Sequence, residues 1–204
     1  MSALPSHLEL VQGVVLPKPV GADPVLDFVN TRSDWTAPGP ARTEWLTSYE
    51  AFLIWSSYTG LLPPATVFRL IEQASGKPTE AARRLTAALE FRAELYGVLT
   101  GRAGGGSFES VARVIEKASG RRQLVPADDG AASWELPEDL AQPLDHVSLL
   151  AGDLLTGPSR AHVRLCPGES CGWLFLDPRG RRRWCSMATC GNRAKVRAHA
   201  ARAR

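Results

Sequence analysis

Four cysteines carry the clearest chemical signal in the sequence. They follow the pattern Cys-x4-Cys-x13-Cys-x4-Cys within 25 residues, and they are Cys166, Cys171, Cys185 and Cys190. Two close pairs of thiols, separated by a spacer long enough for a hairpin, are typical of a tetrahedral structural zinc site. Zn²⁺ prefers soft thiolate donors, and four of them close its coordination sphere. The spacing therefore predicts one structural Zn²⁺ with no open position for catalysis.

The same cysteines leave two other assignments open. An iron–sulfur cluster also uses four thiolates, and two disulfides would also use all four cysteines. A thioredoxin-like redox pair fits poorly because it has two residues between its cysteines, whereas each pair here has four. His162 and His199 lie on either side of the four cysteines in the sequence. Because four thiolates already satisfy zinc, both histidines are expected at the surface.

The residues around the first cysteine pair predict a knuckle and a hairpin. Pro167 and Gly168 allow a tight turn after a strand at 162–165. WLFLD (173–177) and RRRWC (181–185) are then expected to pair across the turn PRGR. This hairpin would bring the two halves of the metal site together.

A helix is expected to begin near Met187, which places Cys190 in its first turn. Knuckle, hairpin and helix predict a treble-clef-like zinc finger. From Cys166 onward the chain has only 39 residues, too few for apolar burial alone to stabilise a fold. Metal binding would supply much of the folding free energy, on the order of 10 kcal/mol.

Charge is distributed very unevenly along the chain. The last carboxylate is Asp177, and nine cations follow it, whereas residues 1–177 hold 15 cations and 21 carboxylates. A mildly acidic body with a strongly basic end indicates a polyanion-binding arm, with a solvated basic tail as the alternative. The predicted nucleic-acid contacts are Arg181, Arg182, Arg183, Asn192, Arg193, Lys195, Arg197, Arg202 and Arg204. Of these, Arg197 is the candidate for a guanine contact in the major groove.

Some residues near the metal site have structural alternatives. Asn192 is expected to shape the helix start by local hydrogen bonding, and Arg193 to pair with Asp177 across the hairpin. The aromatic side chains Trp173, Phe175 and Trp184 would either stack on unpaired bases or form a small core around the metal. The core is the favoured use.

Residues 1–158 are expected to form a separate, mainly helical domain with a β-hairpin, which makes the fold class α+β. The hairpin is predicted at 123–126 and 132–136 around the turn ADDG. Apolar periodicity, prolines and glycines predict six helices: 24–34, a helix capped by Thr43 or Thr47 that stops at Gly60, 65–75 after Pro64, 79–100, 108–119 and 140–156.

Polar residues within apolar helical stretches mark a candidate ligand site in the first domain. Asp27, Asn30, Thr31 and Arg92 are predicted either to line a small-molecule pocket or to form buried hydrogen bonds and an ion pair. The second reading is favoured. Because no Ser/His/Asp or Cys/His set has a recognisable context, the protein is not expected to be an enzyme.

The sequence also predicts the compartment. The N-terminus lacks the basic start and apolar run of a secretory signal, and no stretch reaches the roughly 18 to 20 apolar residues that span a bilayer. We therefore expect a cytoplasmic protein without membrane partners.

The motifs resemble a known family. CPGESCGWLF (166–175), FLDPRGRRRWCSM (175–187) and CGNRAKVRAH (190–199) are similar to the CGNR zinc finger of bacterial proteins with an N-terminal ABATE domain. LDFVNTR (26–32) and FRAELYGVL (91–99) resemble motifs of the ABATE domain. One departure is the Pro-Arg-Gly turn after Asp177, where the family often has polar residues.

The resemblance implies a function and a domain plan. The family is regarded as stress-induced transcriptional regulators, so residues 1–158 would be a sensor or ligand-binding domain and 159–204 a DNA-binding finger. It also implies the four cysteines as zinc ligands, DNA as partner and a small-molecule effector. A homodimer is expected because one finger offers few base contacts. The alternatives are an RNA-binding or ribosome-associated protein, and an enzyme with a structural finger.

Overall fold

The protein, seen here as a computed structural model, is described at residues 4–35, 43–126 and 130–202. The chain forms two compact units, Ser48–Gly157 and the combination of Met1–Thr47 with Pro158–Arg204. The first is mainly helical, and the second consists of short hairpins and helices. The predicted α+β fold class is therefore confirmed.

The helical unit contains the elements that the periodicity predicts. Its β-hairpin pairs β3 (Gln123–Pro126) with β4 (Ala132–Glu135) in antiparallel register, with Leu124 opposite Trp134. In chain order the elements are α2 (Tyr49–Tyr58), α3 (Pro64–Gly76), α4 (Pro78–Thr100), α5 (Ser107–Arg121), β3 (Gln123–Pro126), β4 (Ala132–Glu135) and α6 (Gln142–Thr156).

Helix α2 lies at the core of this unit. It packs against α3, α4 and α6, and it buries seven of its ten residues. The predicted cap, Thr43 or Thr47, is wrong: Ser48 has extended backbone, and its side chain accepts a hydrogen bond from the N–H of Ala51. Ser48 stands directly before the first helical residue, where a hydroxyl reaches the unpaired N–H groups of the first turn.

Ion pairs of Arg121 join helix α5 to the start of helix α6. The guanidinium of Arg121 in α5 donates to Asp139 at 2.7 Å and to Asp145 at 2.6 Å. The contact to Asp145 connects α5 with the first turn of α6.

Helix α4 ends at Gly101, which has a φ of 68°. This left-handed conformation favours glycine.

The second unit begins with an element that the sequence analysis missed, a hairpin of β1 (Leu8–Val11) and β2 (Val14–Pro17). Helix α1 (Pro24–Val29) follows. It is shorter than the predicted 24–34, and the side chain of Asp23 caps its first turn.

The C-terminal part of the second unit contains the remaining elements. They are β5 (Val163–Leu165), β6 (Leu174–Leu176) and α7 (Asn192–Arg202), with a 3₁₀ turn at Pro158–His162 and a π-helical turn at Met187–Gly191. None of the helices in the described part of the chain combines the length and apolar character needed to cross a bilayer.

Asn30 joins the two segments of this unit, although they are far apart in sequence. Its side-chain amide donates to the carbonyl of Leu174 and accepts from the N–H of Leu174, both at 2.9 Å. Leu176 N–H also donates to the carbonyl of Gly21 at 2.8 Å. Strand β6 is therefore held between β5 and the N-terminal segment.

The Asn30→Ala variant should lower the free energy of unfolding by about 2–4 kcal/mol, because it leaves two buried backbone groups of Leu174 without these partners. Urea unfolding of zinc-saturated protein measures the effect. Ser75→Ala is the control: its hydroxyl donates to Glu72 on an exposed surface, and its loss should cost no more than about 0.5 kcal/mol. Equal effects of the two substitutions would contradict the proposed role of Asn30.

Candidate metal centre and basic helix

The first cysteine pair lies in the connection between two paired strands. Val163–Leu165 and Leu174–Leu176 are antiparallel, and the N–H of Cys166 donates to the carbonyl of Trp173 at 2.8 Å. The knuckle that contains Cys166 and Cys171 is therefore closed by the β5–β6 hairpin, which positions both thiols.

The predicted pairing of WLFLD with RRRWC is wrong, because β6 pairs with β5. The buried carboxylate of Asp177 accepts the backbone N–H groups of Arg181 and Arg182 at 2.9 and 3.1 Å. These bonds close a turn at the point where the second strand was expected to begin. The segment 181–185 crosses to the metal site as a loop.

The second cysteine pair completes a tight cluster. Cys185 follows this loop, and Cys190 lies in the π-helical turn that precedes α7, so the predicted position of Cys190 at the start of the C-terminal helix is confirmed. All four sulfurs lie within 4.8 Å of one another. The Sγ atoms of Cys171 and Cys185 are 3.7 Å apart, as are those of Cys185 and Cys190.

These separations fit one tetrahedral ion. Zn–S bonds of about 2.3 Å give sulfur–sulfur edges of roughly 3.8 Å. A disulfide needs about 2.05 Å, and all four cysteines are free thiols. The prediction of one structural Zn²⁺ held by four cysteines is confirmed. Neither His162 nor His199 belongs to the cluster in the part of the chain that the structure describes.

Contacts between the sulfurs shift the pKa values of the four thiols in opposing directions. Hydrogen bonding with Cys171 lowers the pKa of Cys166 to about 7, and contacts with Cys166 and the other sulfurs lower the pKa of Cys190. The same sulfur–sulfur contacts and burial raise the pKa values of Cys171 and Cys185 above the ordinary thiol range. Four thiolates this close together repel one another. A divalent cation at their centre allows all four to be thiolates.

Backbone geometry leaves room for the sulfurs at one particular position. A Cβ atom at residue 168 would lie 2.8 Å from the Sγ of Cys190 and 3.3 Å from the Cβ of Cys171. Gly168 is therefore required by the close approach of the knuckle to the second cysteine pair. The N–H of Cys185 donates to the Sγ of Cys166 at 3.4 Å, so backbone groups also orient the ligands.

The aromatic residues beside the metal site form a core. Trp173 and Phe175 are buried, which confirms the structural use favoured from the sequence. The Nε1 of Trp173 donates to the carbonyl of Arg32 at 2.9 Å, and its ring meets Trp45 edge to face at 5.8 Å. Trp184 is half-buried, with the guanidinium of Arg183 over its ring.

Three of the four candidate ligand-binding residues have structural partners in this unit. The carboxylate of Asp27 accepts the N–H groups of Val20 and Gly21, at 2.8 and 2.7 Å. Burial raises the pKa of Asp27 to about 6. Asn30 holds Leu174, as described above, and the hydroxyl of buried Thr31 donates to the carbonyl of Phe28. The favoured reading, buried hydrogen bonding, describes these three residues.

Arg92, the fourth candidate, belongs to the helical unit. It lies in α4, with 1% of its surface exposed. Its part in a ligand pocket stays a prediction.

Two of the predicted nucleic-acid contacts are used inside the finger. Arg182 donates to the carbonyls of Val20, Cys185 and Leu176, and its guanidinium lies over the ring of Phe175 at 4.5 Å. Arg193 donates from Nη2 to the Sγ of Cys190 at 3.2 Å. The predicted Arg193–Asp177 pair is not formed, because Arg193 engages the sulfur instead.

The other predicted contacts within the described residues lie at the surface, as does Arg193. Arg197 forms an ion pair with Glu169 of the knuckle, a partner that the sequence analysis missed because charge pattern alone does not show which side chains meet. The N–H of Asn192 donates to the carbonyls of Met187 and Thr189, which shapes the start of α7. Arg204 lies outside the described residues. Arg181, Arg183, Lys195 and Arg202 are exposed.

Helix α7 lies at the surface of the finger and is positively charged. It has no buried residue, no carboxylate, and it begins two residues after the last zinc ligand. Fold and site together define a zinc-finger protein in which a metal-clamped finger carries a basic helix, joined in sequence to a mainly helical unit.

The comparisons with protein families agree with this architecture. The ABATE model, described as "Putative stress-induced transcription regulator", matches residues 22–158, and the model described as "CGNR zinc finger" matches residues 162–203. Because the first match covers more than half of the chain, the protein belongs to the ABATE family, with a C-terminal CGNR zinc finger. A comparison with curated proteins finds no match.

Purified protein should contain one Zn²⁺ per chain, and Cys185→Ser should lose it, because three thiolates and a hydroxyl bind Zn²⁺ less well than four thiolates. Elemental analysis and thermal unfolding measure the change. His162→Ala is the matched control and should keep its zinc. A Cys185→Ser protein with full zinc content and unchanged stability would exclude this ligand set.

Proposed function

We propose that the protein is a zinc-dependent, DNA-binding transcriptional regulator of the cytoplasm. The observation that carries this proposal is helix α7: a helix without a buried residue or a carboxylate begins two residues after the last zinc ligand. In this proposal the finger binds DNA, the helical unit senses a small-molecule effector, and neither catalyses a reaction. The description of the matched family as a transcription regulator supports it.

The cations of α7 repel one another. Arg193, Lys195, Arg197 and Arg202 lie on a helix of 11 residues, and like charges on one helix destabilise it in isolation. A polyanion relieves this repulsion and gains entropy because condensed counterions leave its phosphates. The metal fixes the start of the helix, so the cations are presented by a rigid element.

Four cations have side chains suited to phosphate contacts. Lys195 and Arg202 are seven residues apart and therefore lie on the same face of α7. Arg181 and Arg183 lie in the loop before the second cysteine pair. None of these four side chains forms an ion pair with a carboxylate in the described ranges of the chain. Because few bases can be reached by one such finger, specific binding would require a homodimer.

Replacing Arg181, Arg183, Lys195 and Arg202 together by Gln should weaken duplex-DNA binding at least tenfold near 0.1 M salt. It should also reduce the slope of log K against log salt by up to about 3–4, since each lost phosphate contact removes about 0.9. Fluorescence anisotropy at several salt concentrations measures both.

The matched control replaces four exposed cations of the helical unit by Gln: Lys77, Arg83, Arg102 and Lys117. It removes the same charge and should keep most of the salt slope. Equal losses in both proteins would show nonspecific attraction only, and an unchanged slope in the finger variant would overturn the proposed interface. Competition by structured RNA that exceeds competition by duplex DNA would make RNA the partner.

Glu169→Gln should increase affinity for DNA by up to about fivefold at low salt. It removes a negative charge beside α7 and releases Arg197 from its ion pair, and exposed pairs contribute about 0.2–1 kcal/mol. The gain should shrink when the same change is made in an Arg197→Gln background, which a double-mutant cycle measures. Glu72→Gln, at an exposed site of the helical unit, should have no effect. A gain of equal size in both backgrounds would mean that Glu169 acts without Arg197.

A further inference from the structure

The side chain of Arg193 points back to the metal site from the first turn of α7. Its Nη2 lies 3.2 Å from the Sγ of Cys190, three residues earlier in the chain. A separation of three residues is the spacing at which side chains meet across a helical turn. The contact therefore joins the fourth thiolate to the helix that follows it.

This contact is electrostatically favourable at the metal centre. Four thiolates around one Zn²⁺ carry a net charge of −2, and a guanidinium always carries +1. Hydrogen bonds to ligand atoms orient them and tune the metal, and their loss commonly reduces metal affinity 10–100-fold. Among the described contacts, backbone N–H groups such as that of Cys185 donate to ligand sulfurs, whereas Arg193 donates to Cys190 from its side chain.

We propose that Arg193 is a positioning residue of the metal centre, which stabilises the Cys190 thiolate and fixes the first turn of α7, and is not primarily a nucleic-acid contact. This inference goes beyond the proposed function and does not depend on it, since zinc retention is measured without nucleic acid. The alternative partner, Asp177, has its carboxylate occupied by the N–H groups of Arg181 and Arg182.

The surroundings make the effect measurable. A cavity of about 220 Å³ is bounded by Cys171, Cys185, Cys190 and Arg193. Shortening the side chain at position 193 removes the donor to sulfur and enlarges this cavity. Zinc release should therefore respond to the side chain at position 193.

Arg193→Gln should lower zinc affinity about 10–100-fold in competition with a colorimetric chelator, and should release zinc faster. Lys195→Gln is the matched control: it removes one positive charge from the same helix at a residue that has no hydrogen bond to a sulfur among the described contacts. It should leave zinc affinity within about twofold. Arg193→Lys keeps the charge without the planar guanidinium, and should fall between the two.

Cobalt substitution gives a second readout. The thiolate-to-metal charge-transfer band should shift in Arg193→Gln and stay in place in Lys195→Gln, because a hydrogen bond to sulfur changes its donor strength. If Arg193→Gln does not fold, Arg193→Lys with Co²⁺ decides. Zinc affinities and spectra of the Arg193 variants that equal those of Lys195→Gln would overturn the proposal.

Discussion

The C-terminal fold depends on placing four cysteine sulfurs within 4.8 Å of one another. Four thiolates at these distances repel one another unless a cation occupies their centre, and the pKa values of the thiols are shifted in opposing directions. One divalent ion offsets this repulsion, and the free energy of metal binding then becomes folding free energy. The knuckle, the loop 181–185 and the start of α7 have no extended sheet or large core of their own. Their arrangement follows from the ligands that each contributes.

The finger is nevertheless not held by metal alone. Asn30 and Gly21 bind β6, Arg32 accepts a hydrogen bond from Trp173, and Val20 accepts one from Arg182. These residues lie in or beside LDFVNTR, the segment that resembles the opening of the ABATE domain. The compact unit therefore joins Met1–Thr47 to the finger, although the family models divide the chain near residue 160. The predicted domain division 1–158 and 159–204 agrees with the boundary between the two family models. Whether these ranges fold as separate units stays a prediction.

The sequence predicts the features that local rules determine. Proline and glycine positions with apolar periodicity locate α3, α4, α5, α6 and the β3–β4 hairpin, and thiol spacing locates the metal site. Partners distant in sequence were out of reach. Nothing local distinguishes β5 from the segment 181–185 as the partner of β6, since both are short and adjacent to a cysteine. The buried carboxylate of Asp177 closes a turn with the N–H groups of Arg181 and Arg182, and this turn prevents the segment 181–185 from pairing with β6. The β1–β2 hairpin was missed because its four-residue strands give only a weak alternation signal.

The contacts of the C-terminal cations show why composition alone overstates the number of cations that are available to a ligand. Arg182 is held by three carbonyls and a ring, Arg193 by a sulfur, and Arg197 by Glu169. Each of these contacts uses a guanidinium for its fixed charge and planar set of donors, a use that lysine serves poorly. The same residue type therefore does two jobs within a few positions: some guanidinium groups bind other groups of the finger, and others have no carboxylate partner among the described residues. A count of cations gives the charge of this segment, whereas the contacts of each cation determine which of them are available to a ligand.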